Sequence, residues 1–121
     1  MTRVPLLLVS LLAVVLAAAG SASAARPTLT LTPSSVRAGH TVTIHGNAGG
    51  CPVGDTVTLI SRAFAATHEF AGMPAVFARV RSNGLYAVTT RIPRTRGPGR
   101  YVVTARCGGG NFGIAGYLVV R

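Results

Sequence analysis

Short runs of alternating apolar and polar residues dominate the chain after residue 24. Residues 28–32 and 41–45 each place apolar side chains at every second position, the pattern of a strand with one buried face. Gly, Pro, Asn and Ser separate these runs, and no stretch keeps the period of an amphipathic helix. The runs predict seven strands: 28–32, 41–45, 56–62, 76–81, 85–92, 101–107 and 114–120. Short strands at this spacing are typical of an all-β sandwich.

The fourth and fifth runs are predicted to form a hairpin. A two-residue turn would pair Arg81 with Tyr86 and place arginines on the apolar face of the next strand. A three-residue loop instead pairs Arg81 with Leu85, so that the apolar side chains of both strands share one face. We therefore predict the three-residue loop, with Gly84 in the left-handed conformation. Three arginines would then face outward from this sheet: Arg79, Arg81 and Arg91.

The first 24 residues have the three parts of a secretory signal peptide. Arg3 gives a positive start, residues 6–19 are apolar except for Ser10, and Ala22-Ser23-Ala24 is a small-residue cleavage site. The apolar run is shorter than the ~20 residues that a membrane-spanning helix needs. We predict a signal peptide over residues 1–24, a mature domain over residues 25–121, and a secreted, extracellular protein with no transmembrane segment after cleavage. An uncleaved membrane anchor is the alternative.

The composition is strongly basic. The chain has 12 basic residues, all of them Arg, against the 2 acidic residues Asp55 and Glu69, and its net charge is +10. Two carboxylates are too few for a two-metal site, and two cysteines are too few for a four-cysteine zinc site. The absence of Trp and the 6% aromatic content argue against a stacking platform for nucleic acid. We expect no cofactor, no metal and no specific nucleic-acid partner.

Three segments resemble the secreted immunoglobulin-like and fibronectin-type sandwiches of actinobacteria. They are LTPSS at 31–35, GHTVTIHG at 39–46 and GPGRYVV at 97–103. The resemblance implies a seven-stranded, immunoglobulin-like antiparallel β-sandwich over residues 27–121. It also implies that Tyr101 is a corner tyrosine, whose hydroxyl bonds the main chain near the fifth-to-sixth strand connection.

The opening PTLTLTPSS, residues 27–35, is also similar to the start of the neocarzinostatin-type apoproteins. Those proteins are secreted seven-stranded sandwiches that carry an enediyne chromophore. The similarity implies a small-ligand carrier with a deep apolar cleft. The chain departs from that family because it is basic and has 2 cysteines, whereas the family is acidic and has two short-loop disulfides.

The implied immunoglobulin-like strand order brings the two cysteines together. Cys51 follows the second predicted strand and Cys107 ends the sixth, and the loops after these strands share one end of such a sandwich. Export to an oxidising compartment favours a crosslink. We predict a Cys51–Cys107 disulfide, with a redox pair or a metal pair as alternatives. The glycine-rich residues 108–113 are predicted to form a hairpin loop near it.

The candidate bases are three histidines, His40, His45 and His68. We predict that they are solvent-facing, with His40 and His45 pointing to opposite sides of one strand. A Ser-His-Asp site would need Asp55, whose surroundings are typical of a turn before a strand. We therefore assign no catalytic residue and expect no enzymatic activity. Residues 64–74 either plug the open end of the sandwich or form a recognition surface.

The arginines give the strongest indication of function. In the implied strand order, the connections after the first, third and fifth predicted strands share the end opposite the disulfide. Five arginines lie in or beside them: Arg37, Arg62, Arg94, Arg96 and Arg100. Such a cluster attracts polyanions with a salt-dependent affinity. We predict a monomeric, non-enzymatic module that binds an anionic envelope polymer or lipid surface through this end. The alternative is that these arginines only keep the surface soluble.

Overall fold

The computed structural model describes residues 25–108 and 110–121. All the regular secondary structure in these ranges is β-strand. The predicted signal peptide, residues 1–24, lies outside the described residues. Within the described ranges, no helix is both long and apolar enough to cross a membrane.

The described residues form two facing sheets. Their strands are β1 Thr30–Thr32, β2 Ser35–Val36, β3 Thr41–Asn47, β4 Thr56–Ile60, β5 Glu69–Phe70, β6 Met73–Arg79, β7 Leu85–Arg91, β8 Gly99–Cys107 and β9 Gly110–Val120. The small sheet has the order β1-β3-β7, and the large sheet has the order β2-β9-β8-β4-β6-β5. Neighbouring strands are antiparallel except for β2 and β9, which run parallel. The predicted all-β sandwich is confirmed, and β2 and β5 add two short strands at the edges of the large sheet.

Alternation decides which side chains fill the space between the sheets. In β3 the buried side chains are Val42 and Ile44, and in β4 they are Val57 and Leu59, with threonines between them. Burying an aliphatic side chain of this size contributes about 1.5–3 kcal/mol. Phe64, in the segment after β4, is also fully buried. The burial of Phe64 therefore agrees with the prediction that residues 64–74 plug the sandwich, and not with the prediction that they form a recognition surface.

The Tyr86 side chain in β7 reaches across the core to the segment just before β1. It is 1% exposed, and its hydroxyl donates a hydrogen bond to the Thr28 carbonyl at 2.6 Å. Burial disfavours the charged phenolate and raises the pKa of Tyr86 to about 12. The side chain therefore contributes both apolar packing and a link between β7 and the segment before β1.

The predicted turn between β6 and β7 has the expected geometry. The Arg81 N–H donates to the Leu85 carbonyl at 2.9 Å, so the loop has three residues. Gly84 has a φ of 77°, the left-handed conformation that glycine adopts without strain. The three-residue loop is confirmed.

The prediction that β6 and β7 pair as a hairpin beyond that turn is wrong. β6 pairs with β4 in the large sheet, whereas β7 pairs with β3 in the small sheet. The chain crosses between sheets at the turn, because alternation fixes which side chains face the core and leaves the partner strand undetermined. Arg79 and Arg91 are both exposed, as expected, but they lie on the outer faces of different sheets and Arg81 lies in the turn.

The chain turns between the antiparallel strands β8 and β9 in the glycine-rich segment, as predicted, but the loop is shorter than 108–113. Cys107 pairs with Gly110, and residues 110–113 already belong to β9. Further along β9, Gly116 faces β1 across the sandwich. A Cβ at Gly116 would lie 2.5 Å from Leu29 Cδ2 and 3.3 Å from Leu31 Cδ1. The absence of a side chain there allows the two sheets to approach closely at this edge.

Cys51 and Cys107 form the predicted disulfide. Their Cα atoms are 5.9 Å apart, and 56 residues separate them in sequence. The bond joins the loop after β3 to the last residue of β8, and so connects the two sheets. The Asp55 carboxylate and both sulfur atoms lie within 4.8 Å of one another. Because both sulfurs are in the disulfide, neither is a thiolate that could ligate a metal.

Candidate anion-binding end of the sandwich

The end of the sandwich opposite the disulfide is here called the basic end. It contains the starts of β3 and β8 and the ends of β4 and β7. Thr41 pairs with Arg91, which places the start of β3 beside the end of β7. The disulfide lies at the other end of β8, at Cys107.

Two of the predicted connections meet through Arg94. The aliphatic part of Arg94 lies over Gly39, with Arg94 Cγ only 2.8 Å from the position of a Cβ on that glycine. The Gly39 N–H donates to the Ile92 carbonyl at 2.8 Å, which holds the two connections together. Arg37 and Arg94 are both exposed. The contacts therefore bring the connection after β2 and the connection after β7 to one place.

Arg96 ties the third connection to this end. Its Nε donates to the Ala63 carbonyl at 3.3 Å, and its Nη2 donates to the Phe64 carbonyl at 2.9 Å. The Arg96 side chain is half-buried, whereas Arg62, next to Ala63 in sequence, is exposed. Arg96 thus carries its charge at the basic end, but two of its donors are occupied by main-chain carbonyls. Arg96 therefore acts mainly as a structural clamp, which holds the connection after β4 in place, and has fewer donors left to bind an anion.

Arg100 lies at the basic end, at the start of β8, but its side chain belongs to a sheet face. It is within β8 and points from the outer face of the large sheet, where its guanidinium carbon is 3.9 Å from the centre of the Tyr117 ring. Stacking on the ring is a favourable cation–π contact. Arg100 is therefore part of the sheet face and not of the connection before β8. The neighbouring Tyr101 hydroxyl donates to the Gly97 carbonyl at 2.7 Å, the type of bond that the resemblance implies for a corner tyrosine.

A shallow groove of about 350 Å³ opens at the basic end between β2 and β3. Three basic side chains line it: Arg37, His40 and Arg121. Ser35 and Thr41 add hydroxyl groups, and Pro33 and Val36 complete the lining. Guanidinium, imidazole and hydroxyl groups can all donate to the oxygens of a phosphate, sulfate or carboxylate. These residue types suit an anionic group.

The groove depends on strand pairings distant in sequence. β2 pairs in parallel with the end of β9, Ser35 with Val119 and Val36 with Val120. The Arg121 N–H then donates to the Val36 carbonyl at 2.9 Å, which fixes Arg121 beside Arg37. The sequence pattern does not indicate Arg121, and it predicts His40 only as a solvent-facing residue. The available signal was the charge at the end of the last strand, but its neighbour could not be inferred from alternation.

The two acidic side chains lie away from the groove. Asp55 is beside the disulfide at the opposite end. Glu69 is in β5, and β5 and β2 are the opposite edges of the large sheet. Neither acidic side chain therefore offsets the charges of Arg37 and Arg121 at the groove.

The other two histidines have different surroundings. His45 Nε2 lies 3.0 Å from Thr32 Oγ1 on the outer face of the small sheet. The ring of His68 lies 5.3 Å from that of Phe77, beside the large sheet. The structure therefore separates the three histidines among a groove, the outer face of the small sheet and an aromatic contact.

Comparison with known proteins bears on the fold. The chain is similar to part of a chain in a cryo-EM reconstruction of the native conformation of E. coli alpha-2-macroglobulin, with a TM-score of 0.56 and 16% identity. The similarity covers 83% of this chain and spans 6% of the length of that one. No protein-family model matches the chain, and no curated protein sequence matches it. The structural likeness supports the immunoglobulin-like β-sandwich and extends to the fold alone.

Proposed function

We propose that this chain is a non-enzymatic, secreted immunoglobulin-like module that binds an anionic component of the cell envelope or extracellular space through its basic end. The observation that carries the proposal is the groove lined by Arg37, His40 and Arg121, with Arg94 on the adjoining connection. Secretion is part of the proposal, since it rests on the signal-like residues 1–24 and agrees with the disulfide. The likeness to secreted actinobacterial sandwiches belongs to the same proposal.

The geometry favours an extended or repeating anion over a single small one. The groove is shallow and open, so one bound group would stay partly hydrated. The exposed arginines Arg37, Arg62 and Arg94 extend the positive surface beyond the groove. A chain of anionic groups can contact several of them at once, which adds affinity without a deep pocket. Wall polymers with repeated phosphates and acidic polysaccharides have this chemistry.

The carrier alternative requires space between the sheets. That space is filled by large side chains, among them Tyr86, Phe64, Ile44, Leu59, Ile92 and Leu118. Another groove, of about 300 Å³, lies beside the disulfide and includes Phe112 among its lining residues, but it is also open. The packed interior favours surface binding at the basic end over enclosure of an apolar chromophore.

The test compares two double variants that remove the same charge. Arg37→Ser with Arg94→Ser alters the basic end, whereas Arg26→Ser with Arg81→Ser alters exposed arginines outside it. Binding of the mature domain to dextran sulfate is measured over a range of salt concentrations. At about 1 kcal/mol per arginine near an anionic surface, the first variant should bind roughly 30-fold more weakly at low salt. Equal loss in both variants would refute the assignment to the basic end.

The same measurement separates a polymer from a membrane surface. Vesicles of phosphatidylglycerol and phosphatidylcholine are tested beside the soluble polyanion. Binding to both, with the same dependence on Arg37 and Arg94, identifies a general anion site. Binding to neither at low salt would contradict the proposed function.

A further inference from the structure

The outer face of the large sheet carries apolar side chains where an exposed strand usually carries polar ones. Val102, Tyr117, Val119 and Phe77 are between 41% and 50% exposed. They are four of the six exposed large apolar side chains among the described residues. The other two, Val53 and Leu85, lie outside this face. The exposed apolar residues are therefore concentrated on one surface.

Strand register places these residues on one outer face, in two groups of paired side chains. Val102 in β8 pairs with Tyr117 in β9, and Arg100 pairs with Val119 in the adjacent outward row. Across β4, Thr58 lies between Arg106 of β8 and Phe77 of β6. Directly paired side chains on one face lie about 5 Å apart. The residues named in these pairs form a surface across β9, β8, β4 and β6, which we call the apolar outer face.

The small sheet provides an internal comparison. Its outer face carries mainly threonines and one large exposed apolar side chain, Leu85. The threonines are Thr30, Thr32, Thr41, Thr43 and Thr89. Thr43 Oγ1 and Thr89 Oγ1 are 2.8 Å apart, and Thr32 Oγ1 contacts His45 Nε2 at 3.0 Å. Threonine, like valine, is a residue that favours β-strands. Strand formation alone therefore does not account for valine, tyrosine and phenylalanine on the large sheet.

Arginines are placed among these apolar groups. The Arg100 guanidinium lies 3.9 Å from the Tyr117 ring centre, and that of Arg106 lies 5.0 Å from the Phe70 ring centre. Arg79 is exposed on the same face, opposite Thr56. Arginine stacked on an aromatic ring loses little further freedom when its edge binds a carboxylate. Tyr and Arg are also, with Trp, enriched among the residues that dominate binding at protein interfaces.

We infer that the apolar outer face is a docking surface for a second protein, whose contacting surface has an apolar centre and an acidic border. The face carries Arg79, Arg100 and Arg106, while Glu69 lies on the edge strand β5. A second copy of this chain would oppose arginines to arginines at a net charge of +10 per chain. A simple polyanion would pair with the arginines but leave Val102 and Tyr117 in water.

The area of the apolar outer face determines the affinity that we expect for the partner. Four strands about 4.8 Å apart and roughly eight residues long present about 500 Å². Stable interfaces bury about 800 Å² on each partner, and weaker, transient ones bury less. We therefore expect a reversible complex in the micromolar range.

The test uses two soluble acidic polymers that differ in apolar content. Poly(Glu,Tyr) offers carboxylates and aromatic rings, whereas poly-Glu offers carboxylates alone. At matched charge and moderate salt, the mature protein should bind poly(Glu,Tyr) about tenfold more tightly. The variant with Val102→Thr and Tyr117→Thr should lose this preference, while Leu85→Thr, an exposed apolar residue outside the face, should keep it. Circular dichroism verifies that each variant is folded, and Arg100→Ser is a second, milder change that should lower the preference.

Three results would overturn the inference. The first is equal affinity for the two polymers, or a preference that the face variant keeps. The second is a dimer in sedimentation that the face variant abolishes, which would identify the occupant as a second copy. The third is stronger binding to anionic vesicles than to poly(Glu,Tyr), which would identify a lipid surface. Loss of dextran sulfate binding in the Arg37 and Arg94 variant does not bear on this face, so the two proposals fail separately.

Discussion

Replacing Cys51 and Cys107 by alanine removes the crosslink between the two sheets. The disulfide spans 56 residues, and the loop-entropy relation gives about 4 kcal/mol for a loop of this length. Domains of this size commonly have a net stability of roughly 5–15 kcal/mol. We therefore expect the double variant to lose a large part of its free energy of unfolding, since the uncrosslinked unfolded chain gains freedom.

Urea unfolding measures the loss directly. The transition is followed by circular dichroism and by tyrosine fluorescence, since the chain has 3 Tyr and no Trp. With a slope of about 1.3 kcal/mol per molar urea, the midpoint should fall by about 3 M. Val53→Ala is the control, because Val53 is 61% exposed near Cys51 and should change stability by less than about 0.5 kcal/mol.

Two outcomes would refute this reasoning. A loss below about 1 kcal/mol in the double variant would show that the crosslink does not limit the unfolded chain as assumed. A double variant that is unfolded without urea, beside a wild-type stability well above about 5 kcal/mol, would show that the cysteines contribute something other than loop closure.

Three further changes test particular contacts. Tyr86→Phe loses the hydrogen bond to Thr28 and should cost about 1 kcal/mol in urea unfolding. Because the fold raises the pKa of Tyr86 from 10.0 to about 12, the stability due to the neutral phenol is complete below pH 10 and is lost as the pH rises through 12. Unfolding of Tyr86→Phe should lack this alkaline loss, and an unchanged alkaline profile would count against the assignment. Arg96→Met removes two hydrogen bonds to main-chain carbonyls and should cost about 2–3 kcal/mol, against less than about 0.5 for exposed Arg94→Ser; equal costs would contradict the clamp. Gly116→Val should lower stability by about 1–3 kcal/mol through collision with Leu29, and a neutral result would show that β1 can move away.

The face that each strand presents to the core could be predicted from the sequence. Val42 and Ile44 alternate with threonines, and a one-residue shift would expose them, so the pattern has one solution. The disulfide also followed, because the strand order of a sandwich brings the two loops to one end. The partner of β6 could not be predicted in this way. Val80 faces the core equally well from either sheet, and the choice depends on contacts distant in sequence.

The candidate site was predictable in outline and not in detail. The connections containing Arg37 and Arg94 meet as the strand order implies. Arg96 is held by carbonyls more than 30 residues away in sequence, and this tertiary contact leaves no local pattern. Arg121 joins the groove through the parallel pairing of β2 with β9, which has the same long-range origin.

The most direct test of the basic end is a titration of the mature domain with inorganic polyphosphate, followed by amide chemical shifts. We predict that the largest shifts occur at Arg37, His40, Arg94 and Arg121, and that they weaken as salt rises. Substitution of Arg37 and Arg94 by serine should reduce these shifts together. Shifts of similar size at all exposed arginines, or largest shifts beside the Cys51–Cys107 disulfide, would contradict an anion site at the basic end.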